Sequence, residues 1–328
     1  MSGRLIKVIC MALFIVALPF RAPAPLVYRP GEGWTYEPYG GVPNWRRARA
    51  KEQLELAQSA FDKGDYNLAL KAAHRVVEQW PVSDYAPQAQ YLLGRCYEAK
   101  GQPEKAFKEY QNLLEKQPRI ASFEEILHRQ YDIAGLYLGG RWFYLYGVIP
   151  LFSNMEKTAG LYGKIVKSGP YSEVAPLAQL KIGAAREKQK DYVLAAEAYE
   201  LAADRYHDRP KIAADALFRE ALAYQKQAQT AEYDQTVAGQ AISTFNDFMT
   251  LSPNDERVPQ AQKIITSLKT EQAHGYFMVA KFYEKRKNWN GAVIYYNEAQ
   301  LLDPTSLYAT EAKQRIEALK KRTQQPGQ

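Results

Sequence analysis

Apolar and small residues recur with a helical period along most of this 328-residue chain, in paired runs joined by short turns. Residues 87–118 show the pattern best: a first run contains Gly94, a break follows at Gly101, and a second run extends from Ala106 to Pro118. Because proline cannot continue the helical hydrogen-bond ladder, it ends the second run. The pattern predicts two antiparallel helices that approach closely where glycine and alanine face each other.

The same pattern occurs six times. The small residues that open the packed face of each second helix are Ala69, Ala106, Thr158, Ala195, Ala241 and Ala292. Two of the intervals between them are 37 residues, and the others are 46, 51 and 52. The longer intervals predict insertions near 139–157 and 226–238 and extended helices around Pro253–Glu271. Units of this kind resemble the tetratricopeptide repeat, a helix–turn–helix motif of about 34 residues. We therefore predict an all-α, tetratricopeptide-repeat α-α superhelix (solenoid) of five to six helix pairs over residues 46–320.

The first 24 residues have the pattern of a targeting segment. Arg4 and Lys7 precede the apolar run Val8–Phe20, whose 13 residues are too few to span a bilayer comfortably. Residues 1–24 are therefore predicted to be a signal peptide or an uncleaved anchor.

Three further segments differ from the repeats. Residues 25–45 are rich in proline, glycine and aromatic residues and are predicted to be an extended linker that docks on the first repeats or on a partner. Residues 321–328 are predicted to be a disordered tail. The apolar insertion at 139–157 either contacts a partner or membrane surface or folds back to close the gap between paired helices. The side chains that would form such a patch include Trp142, Phe143, Tyr146 and Phe152.

Charge and cysteine content exclude some classes of protein. The formal net charge is +7, and loss of Arg4, Lys7 and Arg21 with the leader would reduce it to +4, a weak excess that does not indicate nucleic-acid binding. Cys10 lies in the apolar run, so Cys96 would be alone in the mature chain and no internal disulfide is expected. The simplest interpretation of Cys96 is a small buried apolar residue.

Catalytic and metal-binding patterns are missing from the sequence. The four histidines fall in different repeats. Glu124, His128 and Asp132 share a helix face, but a single histidine with two carboxylates at this spacing is more typical of a solvated surface than of a metal site. We expect no catalytic residues, no metal, no cofactor and no small-molecule substrate, so the protein should not be an enzyme.

One turn motif points to a particular family. In residues 162–183 a Pro-Tyr-Ser turn precedes a helix that contains alanine and glutamine, and comparable turns follow Pro81 and Pro304. Together with an export signal and five or six tandem repeats, this motif resembles the BamD family of outer-membrane assembly lipoproteins over about residues 50–320. Members carry a lipidated cysteine after the signal, whereas residues 22–26 hold none. Attachment would then depend on the apolar segment, the insertion or a partner.

The resemblance implies a non-catalytic scaffold at the periplasmic face of the outer membrane. Its N-terminal repeats would receive extended segments of unfolded barrel proteins, and its C-terminal repeats would dock the β-barrel insertase. The side chains expected on the concave groove of first helices are Leu54, Gln58, Phe61, Tyr91, Arg95, Glu98, Tyr131, Leu138, Phe277, Lys281 and Glu284. Aromatic rings would hold apolar side chains of an extended strand, and Arg95 would meet a carboxylate.

A second exported class remains open. Another envelope adaptor of this repeat type, similar to the Tol–Pal coordinator or to a pilotin, would share the leader and the repeats. The coordinator family usually has a coiled-coil segment before its repeats, and residues 25–50 show no heptad pattern. A pilotin would again need a lipidated cysteine.

Overall fold

The structure is a computed structural model that describes residues 26–31, 33–36, 45–145, 149–150, 154–230 and 235–323. The described part of the chain contains thirteen helices: α1 Ala50–Asp62, α2 Tyr66–Gln79, α3 Ala86–Ala99, α4 Pro103–Lys116, α5 Phe123–Leu138, α6 Met155–Ser168, α7 Ala175–Lys188, α8 Tyr192–Arg205, α9 Pro210–Thr230, α10 Gln235–Leu251, α11 Val258–Lys285, α12 Trp289–Leu302 and α13 Leu307–Thr323. Helices α1 to α12 form six consecutive pairs, and α13 follows the last. The predicted all-α tetratricopeptide-repeat fold is confirmed.

Two short antiparallel hairpins accompany the helices. Strands β1 (Leu26–Arg29) and β2 (Gly33–Tyr36) pair within the segment predicted to be an extended linker. Strands β3 (Tyr144–Leu145) and β4 (Ile149–Pro150) pair within the apolar insertion. The predicted targeting segment, residues 1–24, lies outside the described residues, as do the last five residues of the predicted tail. Helix α13 includes the first three residues of that tail.

Polar side chains cap the N-termini of four of the second helices. The side chains of Asp65, Asn154, Asp191 and Asn288 each accept a hydrogen bond from the backbone N–H three residues later. Such a cap satisfies one of the unpaired donors of the first helical turn. Gly64 precedes the capping residue Asp65 and has a positive φ, a conformation that glycine adopts without the steric cost that a side chain would add. These local signals fix the helix boundaries independently of tertiary packing.

The chain divides into two compact units, Met1–Ile120 and Ala121–Gln328. In the first unit, α1 to α4 enclose a core of small residues that includes Ala57, Ala69, Ala73 and Cys96. The predicted close approach of α3 and α4 is present at Gly94, where a Cβ would lie 2.2 Å from Cε1 of the buried Tyr110. Burial raises the pKa of the Cys96 thiol to about 11, which agrees with its interpretation as an apolar core residue.

The second unit, α5 to α13, repeats this packing in successive clusters. Gly183 in α7 abuts the buried ring of Tyr199 in α8, as Gly94 abuts Tyr110. Each cluster is formed mainly by neighbouring helices, as expected of a repeat array. Within the described ranges, no helix has both the length and the apolar composition needed to cross a membrane.

One arginine connects three helices of the second unit. The Arg257 guanidinium, at the start of α11, donates to Asp255 at 2.9 Å and to Asp215 of α9 at 2.8 Å. Its Cζ also lies 4.8 Å and 5.3 Å from the ring centroids of Phe218 in α9 and Phe248 in α10. The hydrogen bonds from Arg257 hold the pKa of Asp255 down at about 2. These contacts fix the turn between α10 and α11 against α9.

Helix α11 is much longer than the others, at 28 residues. Its first half buries Ala261, Ile265 and Leu268 against α9 and α10, and its second half buries Phe277 and Ala280 against α12 and α13. The extended helix predicted around Pro253–Glu271 is therefore one continuous helix shared by two repeats. The predicted insertion near 226–238 is largely helical, because α9 continues to Thr230 and α10 begins at Gln235.

Candidate protein-binding surfaces

Four of the predicted groove residues come together in the first unit. The Arg95 guanidinium of α3 lies 5.6 Å from the ring centroid of Phe61 in α1 and 6.0 Å from that of Tyr91. Arg95 also donates to the Tyr91 hydroxyl at 3.4 Å and lies 3.9 Å from a carboxylate oxygen of Glu98. All four side chains are half-buried, so each keeps some surface exposed to solvent. We name Phe61, Tyr91, Arg95 and Glu98 the Arg95 cluster.

The other two groove residues of this unit have different environments. Leu54 is half-buried and packs against the core of α1 to α4. Gln58 is exposed and donates a hydrogen bond to Asp62 at 3.1 Å. Gln58 therefore does not pack in the core, whereas much of the Leu54 side chain does.

In the second unit, Tyr131 and Leu138 both lie on α5 and are half-buried. The Tyr131 ring packs edge-on against Tyr162 of α6 at a centroid distance of 5.6 Å. Burial raises the pKa of both tyrosines, and each keeps its hydroxyl proton at neutral pH. The Leu138 carbonyl accepts a hydrogen bond from Lys188. These two residues contribute to packing and expose only part of their surface.

The prediction that Phe277 lies on the concave groove of the C-terminal repeats is wrong. Phe277 is only 3% exposed and packs against Tyr296 of α12 and Tyr308 of α13. It belongs to the core because α13 covers the side of α11 that the repeat pattern leaves open. Lys281 is exposed, and its Nζ lies 5.6 Å from the Phe277 ring centroid. Lys281 and the half-buried Glu284 remain accessible.

Lys281 and Glu284 line an open groove of about 460 Å³ between α11 and the neighbouring helices. Its lining residues are Met278, Lys281, Phe282, Glu284, Lys285, Trp289 and Arg315. Glu284 accepts hydrogen bonds from the Tyr296 hydroxyl at 2.7 Å and from Arg315 at 3.4 Å. Sequence reasoning missed Arg315, because it lies on α13, beyond the last recognisable pair. Arg315 is also paired with Glu311 at 3.4 Å, so the positive charge of the groove comes mainly from Lys281 and Lys285.

The apolar insertion contains one buried and one exposed aromatic side chain. Phe143 is 2% exposed and stacks on Tyr137 of α5 at a centroid distance of 4.1 Å, with Lys157 Nζ 4.1 Å from its ring. Its assignment to a surface patch is therefore wrong. Trp142 is 52% exposed. Tyr146 and Phe152, the other predicted patch residues, lie outside the described side chains.

We expect Phe143→Ser to lower the free energy of unfolding by about 3 kcal/mol, because it removes a buried ring and leaves a hydroxyl in its place. Trp142→Ser should lower it by less, about 1 kcal/mol, since about half of this side chain is already exposed to solvent. Thermal melts followed by circular dichroism measure both variants. Equal stability of the two variants would contradict the division between an internal and an external ring.

One buried carboxyl group stands out electrostatically. Glu220 of α9 is 6% exposed, and burial raises its pKa to about 8, with further contributions from the charges of Glu200, Asp204 and Asp247. A hydrogen bond with Thr244 opposes the shift. At neutral pH the side chain is therefore mostly protonated.

The described residues contain no group of three histidine, cysteine or carboxylate side chains that could hold a metal ion. His128 lies 3.9 Å from Glu173 of the turn before α7. Both side chains are at least half exposed. The face formed by Glu124, His128 and Asp132 is exposed to solvent, as its spacing indicated.

Comparison with known families agrees with this architecture. Residues 54–119 match the tetratricopeptide-repeat family model, and residues 154–303 match the YfiO family, described as outer membrane lipoprotein. The chain is a tetratricopeptide-repeat protein, and its residues 154–303 are similar to the BamD (YfiO) family. Both families consist of non-catalytic protein-interaction scaffolds. The match to the outer membrane lipoprotein family spans α6 to α12 and includes all the residues that Arg257 contacts.

The solved structures to which the chain is similar include three bacterial proteins. The C-terminal part of a tetratricopeptide repeat-containing protein from Cytophaga hutchinsonii is 16% identical, with coverage of 80% of this chain and 87% of that one and a TM-score of 0.35. A repeat protein from Parabacteroides merdae is 15% identical over 82% and 98%, with a TM-score of 0.33. PilF of Pseudomonas aeruginosa is 14% identical over 80% and 96%, with a TM-score of 0.29. Similarity this low carries no argument about function. No curated protein sequence matches the chain significantly.

Proposed function

We propose that this protein is an exported scaffold at the periplasmic face of the outer membrane, where it assists the assembly and insertion of β-barrel proteins. The first unit would bind extended segments of unfolded barrel proteins. The C-terminal helices would dock the β-barrel insertase. The BamD-like match supports an envelope scaffold, and the Arg95 cluster supports the substrate-binding role.

The Arg95 cluster has the chemistry that an extended peptide with an aromatic side chain and a terminal carboxylate requires. Phe61 and Tyr91 offer ring faces, and the guanidinium between them offers donors to a carboxylate. The Arg95–Glu98 contact is long, at 3.9 Å, and about a third of the Arg95 side chain is exposed. A peptide carboxylate can therefore compete for Arg95 without displacing a tight buried ion pair.

The cationic groove beside α11 is the second surface of the scaffold. Phe282 and Met278 are 52% and 46% exposed, so apolar area lies beside the lysines. A partner face with carboxylates and one or two apolar side chains would complement it. In our proposal this partner is a periplasmic domain of the insertase.

We expect Arg95→Glu to weaken binding of a C-terminal barrel peptide more than tenfold, about 1.4 kcal/mol, because the substitution places like charge where the carboxylate binds. Stability should change little, since a partly exposed arginine contributes little to folding. Titration calorimetry measures the affinity. Lys108→Glu is the matched control, because it reverses one exposed charge on α4 outside the cluster.

Equal peptide affinity of a folded Arg95→Glu protein and the parent would exclude the Arg95 cluster as the substrate site. A similar loss in Lys108→Glu would show that only the net charge of the unit matters. The docking role of the C-terminal groove is separate, and affinity purification from solubilised membranes tests it. Recovery of a β-barrel insertase supports our proposal, whereas recovery of Tol–Pal components or pilus-assembly proteins would favour the other envelope adaptors.

A further inference from the structure

The N-terminal hairpin presents two large aromatic side chains to solvent. Tyr28 of β1 and Trp34 of β2 are direct cross-strand partners, with ring centroids 5.3 Å apart. They are 59% and 65% exposed, whereas the other aromatic side chains described in the first unit are buried or half-buried. Tyrosine and tryptophan both combine an apolar ring with a polar group, a composition typical of side chains at a membrane–water interface.

The hairpin is fixed to the turn between α2 and α3. The Gly31 carbonyl accepts a hydrogen bond from the Asp84 backbone N–H at 2.8 Å, and a Cβ at Gly31 would lie 3.3 Å from the Asp84 carboxylate. A Cβ at Gly33 would lie 3.9 Å from Val82, which is itself 84% exposed. The aromatic pair is therefore held in a fixed place next to a further exposed apolar side chain.

Cationic side chains lie beside the same turn. The turn begins at Trp80, and the Arg75 guanidinium lies 5.3 Å from the Trp80 ring centroid. Burial lowers the pKa of Arg75, and the positive charge of Arg46 lowers it further. Arg46 is exposed, with its guanidinium 5.1 Å from the Trp45 ring. The exposed Arg46 and the aromatic pair thus both belong to the N-terminal part of the first unit, whose hairpin turn also carries acidic residues, with Asp84 beside Gly31 and Glu32 next to it in the sequence.

We propose that the β1–β2 hairpin and the Val82 turn form a membrane-contact surface, with Tyr28 and Trp34 at headgroup depth and Arg46 facing anionic lipid phosphates. Where residues 1–24 act as the uncleaved anchor, they would hold this surface next to lipid. The apolar run Val8–Phe20 ends eight residues before Tyr28, a distance of at most about 28 Å in extended chain. A bilayer that holds the apolar run would therefore be within reach of the hairpin. The inference is independent of the proposed role in barrel assembly.

Fluorescence quenching by brominated lipids tests the contact in the full chain. The protein is reconstituted with vesicles of phosphatidylcholine and a minority of phosphatidylglycerol, brominated near the top of the acyl chains. We expect these lipids to quench tryptophan fluorescence, and we expect Trp34→Phe to lose most of that quenching. Trp142→Phe is the matched control, because Trp142 is also about half exposed but lies in the second unit. Arg46→Glu should reduce the quenching in these anionic vesicles and should leave it unchanged in vesicles of phosphatidylcholine alone.

Three outcomes would overturn the proposal. The first is the absence of quenching in the parent, and the second is an equal loss in Trp34→Phe and Trp142→Phe. The third is a change in Trp34 emission that a purified barrel protein produces and vesicles do not. That result would assign the hairpin to a protein partner. Circular dichroism melts of each variant establish that the first unit remains folded.

Discussion

Alanine at Gly94 or Gly183 is expected to destabilise the protein by about 3 kcal/mol or more. A Cβ would lie 2.2 Å from the Tyr110 ring at Gly94 and 2.4 Å from the Tyr199 ring at Gly183. Both rings are fully buried, so neither can move aside without displacing the adjacent helices. Overpacking of a filled core typically costs about 1–3 kcal/mol, and a contact this short belongs at or above the upper end.

Gly160→Ala provides the matched control. Gly160 also lies within a helix, α6, but a Cβ there would meet no atom within 4 Å. Since alanine is the better helix former, this substitution should stabilise the protein by about 1 kcal/mol. Chemical denaturation followed by circular dichroism compares the three variants with the parent. A stability of Gly94→Ala or Gly183→Ala equal to that of Gly160→Ala would mean that the glycines do not set the distance between paired helices.

Glu220→Gln is expected to remove much of the loss of stability between pH 6 and pH 9. Burial, with help from nearby carboxylates, raises the pKa of Glu220 from 4.5 to about 8 in the folded protein. The folded state therefore binds a proton that the unfolded state has already released between these values. By linkage, the free energy of unfolding falls as pH rises from about 4.5 to about 8 and is constant for this group above that.

The magnitude follows from the pH interval. From pH 6 to the folded pKa of about 8, one group contributes roughly 2–3 kcal/mol at about 1.4 kcal/mol for each pH unit. The glutamine variant lacks this contribution, so its stability relative to the parent should increase toward pH 9. Denaturant titrations at several pH values measure the difference. Glu200→Gln, a change at an exposed position of α8, should leave most of the slope intact. Parallel stability curves for parent and Glu220→Gln would show that Glu220 is ionised in the folded state.

The repeat fold could be predicted from sequence because its signals are local. The six small residues predicted to open the packed face of the second helices are all fully buried, and Gly94 contacts Tyr110 as the pattern indicated. Caps such as Asp65 and Asp191 also act within a single turn. A repeat array needs little more than these signals, because each helix packs chiefly on its neighbours.

The candidate surfaces were harder to predict because they depend on contacts between elements. Phe277 has the spacing of a groove residue, but α13 covers it, and no repeat pattern placed that last helix. Trp142 and Phe143 are adjacent in a non-helical insertion, where helical spacing does not decide which ring faces inward. The β1–β2 hairpin has two four-residue strands, which are too short to show an alternating pattern above the background of a proline- and glycine-rich segment.

The unbroken length of α11 has a mechanical consequence. One continuous helix of 28 residues is about 42 Å long, and it carries packing surfaces for two successive helix pairs at its two ends. Proline occurs only in its first turn, at Pro259, so the interior lacks the residue that most often bends a helix. A force that tilts α12 and α13 must therefore rotate the surface packed on α10 as well. The last two helix pairs are therefore coupled through α11. Movement of a partner bound at the C-terminal groove would be transmitted along this helix to the Arg257 contacts.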